Sequence, residues 1–512
     1  MYSEVTSAIL EGIDSILVRV ETDISDGMPV FEMVGYLSSE VKESKERVRT
    51  ALKNSGFSLP VKRITVNFSP ANIRKSGSGF DLPITIGILL SMGILQQENI
   101  EKVLVVGEMS LDGNILPVNG ILSMVAKAKE EGLRYCIIPK GNETEASLIP
   151  GILCYAVEHI GQVIDLLGNP ERDETYICKT PEDVIEGDAE GYLDFADVSG
   201  QEVVKRACEV AAAGLHNVLM IGPPGSGKTM MARCLSSILP PMSDDEKLEI
   251  SKIYSVAGLF NERKTLINNR PFRSPHHTIS SVGLTGGGSR EIKPGEISLA
   301  HNGVLFLDEF LEFNKSTIEI LRQPMEDKRI HISRNRGNYV FPSDFMLVAA
   351  ANPCKCGFFP DLNKCHCTSK SIENYLGKMS QPMLDRIDIT VETPQIAYEE
   401  LVCKKKGESS EEIRKRVERV TKIQKERFKG TDIRFNSQIP SSKIDLYCPL
   451  TPADQKYMEE TYEKLELSAR SYFKVLKVAR TIADLDGKES INRIHLMEAV
   501  CYRSVDRKFW ER

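Results

Sequence analysis

Lys228 and Thr229 end the run Gly222-Pro223-Pro224-Gly225-Ser226-Gly227-Lys228-Thr229, which fits the phosphate-binding pattern G-x-x-x-x-G-K-[ST] at every position. A loop of this kind turns its backbone N–H groups inward around nucleotide phosphates, so these eight residues form a candidate nucleotide cradle. The Lys228 amine would reach the β- and γ-phosphates, and the Thr229 hydroxyl would ligate Mg²⁺. The flanks suit the task. Asn217-Val218-Leu219-Met220-Ile221 is a short apolar run, as a buried parallel strand should be. Residues 230–239 have helical character, which aims a helix N-terminus at the phosphates.

Two further groups lie downstream. Gly303-Val304-Leu305-Phe306-Leu307-Asp308-Glu309 reads as an apolar strand ending in two carboxylates. Asp308 would hold Mg²⁺ through water, and Glu309 would polarise an attacking water. A second strand, Phe345-Met346-Leu347-Val348-Ala349-Ala350-Ala351, ends in Asn352, whose neutral amide can orient that water near the γ-phosphate. This order resembles the AAA+ ATPases. In that resemblance Asn352 matches sensor 1, and Asp197-Val198-Ser199-Gly200-Gln201 matches the segment beside the adenine. Met383-Leu384-Asp385-Arg386-Ile387-Asp388 resembles the family's arginine-finger segment, where the cation reaches the γ-phosphate held by a neighbouring subunit. The competing reading of Arg386 is a local ion pair with Asp385 or Asp388. Ser468-Ala469-Arg470 resembles the sensor 2 of the lid, with Arg480 as the rival for that role. Sites shared in this way imply a ring, and the family implies a homo-hexamer.

Between the P-loop and the Asp-Glu strand lie Arg270-Pro271-Phe272-Arg273-Ser274-Pro275-His276-His277, Gly286-Gly287-Gly288 and Pro294-Gly295-Glu296-Ile297-Ser298-Leu299-Ala300-His301-Asn302-Gly303. These segments resemble the magnesium-chelatase-like ATPases, above all the ComM/YifB family, and the likeness extends to Ala479-Arg480-Thr481-Ile482-Ala483-Asp484-Leu485 near the end. The resemblance implies an insert after helix 2 and a hairpin before sensor 1, both facing a ring pore. Residues 327–340 fit that hairpin, with Arg329, Arg334 and Arg336 placed near the tip and Gly337-Asn338 as the turn. Repeated around a pore, such a tip suits a phosphate backbone; an ordinary solvated hairpin is the alternative. His276 and His277 are adjacent, and adjacent side chains in extended chain face opposite ways, so a structural or pore-loop role is favoured over metal binding.

Cys354-Lys355-Cys356 and Cys365-His366-Cys367 follow sensor 1. Two Cys-x-Cys pairs can supply four thiolates to a tetrahedral structural Zn²⁺, with His366 able to replace one, and with free thiols or a redox pair as alternatives. Four protein ligands would leave no open position for chemistry, so the metal would stiffen the loop leading to Arg386. The first domain resembles the proteolytic domain of Lon, through Val105-Val106-Gly107-Glu108, Gly113-Asn114-Ile115-Leu116-Pro117-Val118-Asn119-Gly120 and Cys136-Ile137-Ile138-Pro139. Lon uses a Ser nucleophile activated by a Lys. In Lys75-Ser76-Gly77-Ser78-Gly79-Phe80-Asp81 the Ser position falls on Gly79, and the Lys position falls on Met124, with Lys127 one helical turn beyond. No peptidase activity is therefore expected.

The elements that must position these residues divide the chain as follows. Residues 1–168 form the mixed α/β front domain, with strands expected at 15–20, 63–68, 103–106 and 136–138 and a charged helix at 40–54. Residues 169–194 are acidic with little apolar periodicity, hence a linker. The ATPase core spans 195–400 and a helical lid of the chelatase type spans 401–512, where Ile413, Val417, Val420 and Phe428 mark one apolar face. The fold class is α/β: a parallel-sheet P-loop AAA+ core with a helical lid, preceded by a Lon-protease-like α+β domain. With 512 residues the chain has room for about three domains. It has no apolar run long enough to span a membrane and no basic leader region, so a cytoplasmic protein without membrane contact is expected. Twelve cysteines in a chain this long speak for metal ligation rather than a disulfide scaffold. The net charge of −7 excludes a generally basic coat but not a local basic pore. The family implies an ATP- and Mg²⁺-dependent motor on single-stranded or branched DNA, working as a branch-migration helicase in recombination of incoming DNA during natural transformation. An ATP-dependent Lon-like protease and a magnesium-chelatase ATPase subunit are the alternatives.

Overall fold

The computed structural model describes residues 1–169, 174–179, 193–260, 266–288, 292–334, 337–396, 398 and 407–510. Two sheets organise it. In the front domain seven strands lie in the order Phe31–Val34, Arg63–Ser69, Asp14–Ser25, Tyr2–Glu11, Val103–Val105, Tyr135–Pro139 and Leu153–Val157. Tyr2–Glu11 and Asp14–Ser25 pair antiparallel along their whole length, with Glu11 opposite Asp14, so the turn between them has two residues. Gly12 takes φ 69 there, the left-handed backbone that a tight hairpin turn demands. Ser39–Asn54 and the wholly buried helix Asp81–Ser91 pack together in this domain. Asp81, buried at that helix's start, is clamped by the Arg47 guanidinium at 2.7 Å, a charged pair that an N-terminal helix dipole supports.

The second sheet is parallel throughout, in the order Phe272–Arg273, Val304–Leu307, Met346–Ala351, Val218–Ile221 and Ile389–Glu392. Its three central strands are buried at every position, as both faces of such a sheet must be covered. Parallel alignment sends all C-terminal strand ends to one edge, and there the chain turns into the chemical residues. Helices cover the faces: Glu202–Gly214 and Lys228–Ser237 pack with Ser410–Arg427 and Ala469–Leu485 into one core. Arg493–Trp510 packs against Ile389–Glu392. The apolar face expected between 411 and 429 is present, with Ile413, Val417, Val420 and Phe428 buried. Ser409, Thr451 and Ser468 cap their helices by accepting a backbone N–H, which sets where each begins. Residues 170–173 and 180–192 of the expected linker lie outside the described residues. Among the described residues no helix is long and apolar enough to cross a membrane.

The front domain is seated on the domain built around the parallel sheet. Its helix Ile121–Glu130 lies against Asp244–Ala257, and the Gly120 N–H donates to the Ser255 carbonyl at 3.2 Å. Buried Glu145 accepts from the Ser255 hydroxyl and from the Leu122 N–H at 3.0 Å. At the Gly12 turn, a Cβ would stand 2.6 Å from the carbonyl oxygen of Val340 on a hairpin of the second domain. Glycine alone permits that approach.

Candidate active site

The P-loop joins Val218–Ile221 to the helix Lys228–Ser237. Gly225 and Gly227 both adopt positive φ, 74 and 82, which bends the loop around the space a phosphate chain needs. The loop is braced from outside. Gln201, itself left-handed at φ 56, donates its amide to the Ser226 carbonyl at 2.6 Å, so the segment expected beside the adenine also props the cradle. Lys228 folds its amine back onto the Gly222 and Pro223 carbonyls, each at 2.8 Å, and onto Asn352 Oδ1 at 3.2 Å. Burial draws this amine down to about 8, with Asp308 opposing the shift. The Thr229 hydroxyl donates to Asp308 Oδ2 at 2.7 Å, so the two expected Mg²⁺ ligands already touch.

Glu309 follows at φ 50, an uncommon conformation for a residue with a side chain, and one that marks strained functional positions. It projects its carboxylate to His277, with Nδ1 and Oε2 at 3.2 Å. The His277 ring rests edge-on to Phe313 and beside the ring of His276, with centroids 6.3 and 4.1 Å apart. The sequence singled out this histidine pair without linking it to the carboxylate. The only signal available was its place in an insert between the two motifs. Thus Lys228, Thr229, Asp308, Glu309 and Asn352 meet at one edge of the sheet.

Arg386 and Arg470 are elsewhere. They line a cavity of about 630 Å³ with Asn217, Gly303, Met346 and Asp388, residues at the N-terminal starts of the parallel strands. The strands are 4 to 6 residues long. At ~3.3 Å per residue, on the order of 13–20 Å of sheet separates this cavity from the chain's own P-loop. Arg386 is buried and pairs with neither Asp385 nor Asp388. Its Nη2 meets Glu326 Oε1 at 2.8 Å. Arg470 binds the same oxygen. Asp388, although buried, is held far below the usual carboxylate range by Lys474 at 2.6 Å and by His216. Lys474 is drawn down to about 8 by its own burial. Arg480 is fully buried against Asp484 and the carbonyls of Lys488 and Glu489, a packing role. Of the two rivals, only Arg470 faces open space.

The cysteines converge. Sγ of Cys354 lies 3.3 Å from Cys356 and 3.7 Å from Cys365, and the Sγ atoms of Cys354, Cys356, Cys365 and Cys367 all lie within 4.8 Å of one another. The Phe359 N–H donates to Cys354 Sγ at 3.4 Å, as it would to a thiolate. His366 stands outside this cluster of sulfurs. The enclosed loop abuts the P-loop: a Cβ on Gly357 would fall 2.4 Å from Pro224 Cδ.

The expected hairpin forms from Arg329–Arg334 and Gly337–Pro342, but its layout differs from the expectation. Arg334 pairs with Gly337 at the tip, whereas Arg329 pairs with Pro342 at the root. Arg329 is therefore not near the tip, and Gly337-Asn338 belong to the second strand rather than the turn. Arg336 lies outside the described residues. Alternation puts Ile330 and Ile332 inward and leaves Arg329, His331 and Ser333 exposed, so His331 joins the outer face. In the front domain, Gly79 and Met124 line one cleft of about 240 Å³, closed from the ATPase side by Tyr339 and Lys293. Ser78 there donates to Glu108. Lys75 is buried against the Pro70 carbonyl and Lys127 pairs with Glu131 at 2.8 Å.

Comparison with known proteins covers the whole of this arrangement. The family model described as "Magnesium chelatase, subunit ChlI" matches residues 194–401. "Subunit ChlI of Mg-chelatase" matches 20–142, and the ChlI C-terminal model matches 407–503. The chain is 40% identical to YifB of Salmonella typhimurium over 498 residues, covering 97% of this chain and 96% of that protein. It is 40% identical to competence protein ComM of Haemophilus influenzae over 499 residues, again 97% and 96%. YifB of Escherichia coli matches at 40% over 500 residues with the same coverage.

Proposed function

Because the chain belongs to the ComM/YifB family of magnesium-chelatase-like AAA+ ATPases, we propose that it works as a homo-hexameric ring that spends ATP on moving DNA, as a branch-migration helicase in the recombination of incoming strands. The observation that carries this reading is the separation of two halves of one catalytic set across the parallel sheet. Lys228, Thr229, Asp308, Glu309 and Asn352 occupy one edge. Arg386 and Arg470 occupy the other, where a second copy of the chain could bring its nucleotide. A closed ring satisfies every such pair at once, since a heterologous contact that closes repeats one interface.

In each shared site the P-loop N–H groups and Lys228 would hold the phosphates, and Thr229 and Asp308 would hold Mg²⁺, which when bound spreads the phosphate charge. Glu309 takes the proton of the attacking water while Asn352 fixes its position. Arg386 and Arg470 of the adjoining subunit neutralise charge that builds on the leaving phosphate oxygens. DNA as the substrate is supported by Arg334 at the hairpin tip, by exposed Arg329 and His331, and by the name of the Haemophilus relative, a competence protein. The front domain, with Gly79 and Met124 at its cleft, serves assembly or substrate recruitment rather than peptide cleavage, and a cytoplasmic setting fits both roles. A structural Zn²⁺ fits Cys354, Cys356, Cys365 and Cys367: a tetrahedron with Zn–S near 2.3 Å puts sulfurs ~3.8 Å apart, close to the spacing here.

The deciding experiment is branch migration of Holliday-type DNA by the purified ring with ATP. The wild type should resolve the junction. Glu309→Gln should bind ATP and DNA but stall. A wild-type ring that hydrolyses ATP yet neither binds nor migrates forked or four-way DNA would remove DNA as the substrate.

A further inference from the structure

Nine charged side chains line or floor the cavity at the N-terminal sheet edge, and three of them are acidic: Glu326, Asp344 and Asp388. Asp344 is engaged by Lys328 and Arg434, each at 3.1 Å. Asp388 is engaged by Lys474. Glu326 differs, because one of its oxygens, Oε1, carries both Arg386 and Arg470. One carboxylate between two guanidiniums leaves net positive charge, and a phosphate offers three oxygens and more charge. Arg386 also donates from Nε to the Arg322 carbonyl at 3.2 Å and from Nη1 to the Pro382 carbonyl at 2.5 Å, which aims its Nη2 at Glu326. Glu326 is thus the weaker of two anions that could hold this arginine pair.

Its position in the chain gives the exchange an outlet. Glu326 lies on the short helix Arg322–Asp327. Lys328 follows in the left-handed conformation at φ 54, and the hairpin strand begins at Arg329. The root is tied by Lys328 to Asp344 and by the Ser343 N–H to the Lys328 carbonyl at 2.8 Å. Among the described contacts, the end of the helix reaches the lid arginine Arg470 through Glu326, while its start is held separately by the Arg322 carbonyl, which accepts from Arg386 Nε. The root's other ties to the lid run from Asp344, just past the end of the far strand, to Arg434 and Gln438, each at 3.1 Å.

We infer that Glu326 is a positioning residue, an internal stand-in for the terminal phosphate of the adjoining subunit's nucleotide. It presents Arg386 and Arg470 as a pair, and its displacement by that phosphate frees the end of the helix that roots the hairpin, the helix start staying tied to Arg386 through the Arg322 carbonyl. Nucleotide state in one subunit is thereby passed to the hairpin of the next. The inference rests on the reading that the two arginines serve the neighbouring site. Removing the competitor charge should tighten nucleotide and cut the link at once, a combination that a merely structural carboxylate would not produce.

The test uses the assembled full-length ring. Hydrogen–deuterium exchange at residues 329–342 should change several-fold on adding ATPγS to the wild type. In Glu326→Gln the exchange should be the same with and without ATPγS, and the KM for ATP should fall several-fold. Glu326→Asp, which keeps the charge, should restore the nucleotide-dependent change. Should Glu326→Gln fail to assemble, an Arg386→Gln/Arg470→Gln ring that binds ATPγS must show no change at 329–342. A Glu326→Gln ring that matches wild type in both readouts overturns the exchange. Failure of the underlying reading is separable, because it appears as no ATPase activity when Lys228→Ala and Arg386→Ala subunits are mixed. If mixing restores activity and Glu326→Gln behaves as wild type, only the exchange is lost.

Discussion

Lys228 sits with its amine on its own loop's carbonyls, and burial lowers its pKa from 10.5 to about 8. Phosphates arriving in the loop restore the ammonium. Binding ATP near pH 8.5 should therefore take up most of one proton, and binding at pH 7 almost none. Calorimetry in buffers of different ionisation enthalpy measures this, and Lys228→Ala should abolish both the uptake and productive ATP use. The sign for stability follows from the same shift. Between about 8 and 10.5 the nucleotide-free fold holds fewer protons than the unfolded chain, so this residue's contribution to stability rises with pH across that window. Lys228, Asp308, Glu309 and Asn352 were legible because each ends or follows an apolar run, and a parallel sheet brings such ends together. The His277–Glu309 contact was not legible, since it closes in space between an insert and a strand end, and no local pattern encodes it.

The hairpin shows what elements reveal and conceal. Its existence was readable, but Gly337-Asn338, a common turn pair, misplaced the turn, because strand register rather than dipeptide preference fixes which residues face each other. The corrected register alters the expectation for its arginines. Arg334→Ala at the tip should weaken DNA binding and lower the salt slope by about one contact per subunit, while Arg329→Ala at the root should matter less; titration over a salt series measures both. The cysteine loop is a second element whose four clustered cysteines were legible from spacing while its neighbour was not. Gly357 against Pro224 ties it to the P-loop as well as to the approach to Arg386. Zinc content by mass spectrometry should be one per chain. Cys354→Ser or chelation should lower the melting temperature by several degrees and raise the KM for ATP.

At the scale of the molecule, the P-loop residues and the Arg386–Arg470 pair lie at opposite edges of one sheet, and the proposed function makes activity a property of an assembly. Lys228→Ala and Arg386→Ala rings should each be inactive. Mixed in equal amounts, they should regain activity at about a quarter of interfaces, those where an intact P-loop meets an intact arginine. Steady-state hydrolysis against mixing ratio measures this. The domain order was readable from composition and motifs, but the seating of the front domain was not, because the surfaces that meet, around Gly12, Asn119 and Ser255, carry no distinguishing pattern. The Gly12 turn, resting against the Val340 carbonyl, has a mechanical consequence. It leaves the hairpin no clearance toward the front domain at Val340, so a displacement of the hairpin in that direction would have to push the Gly12 turn ahead of it.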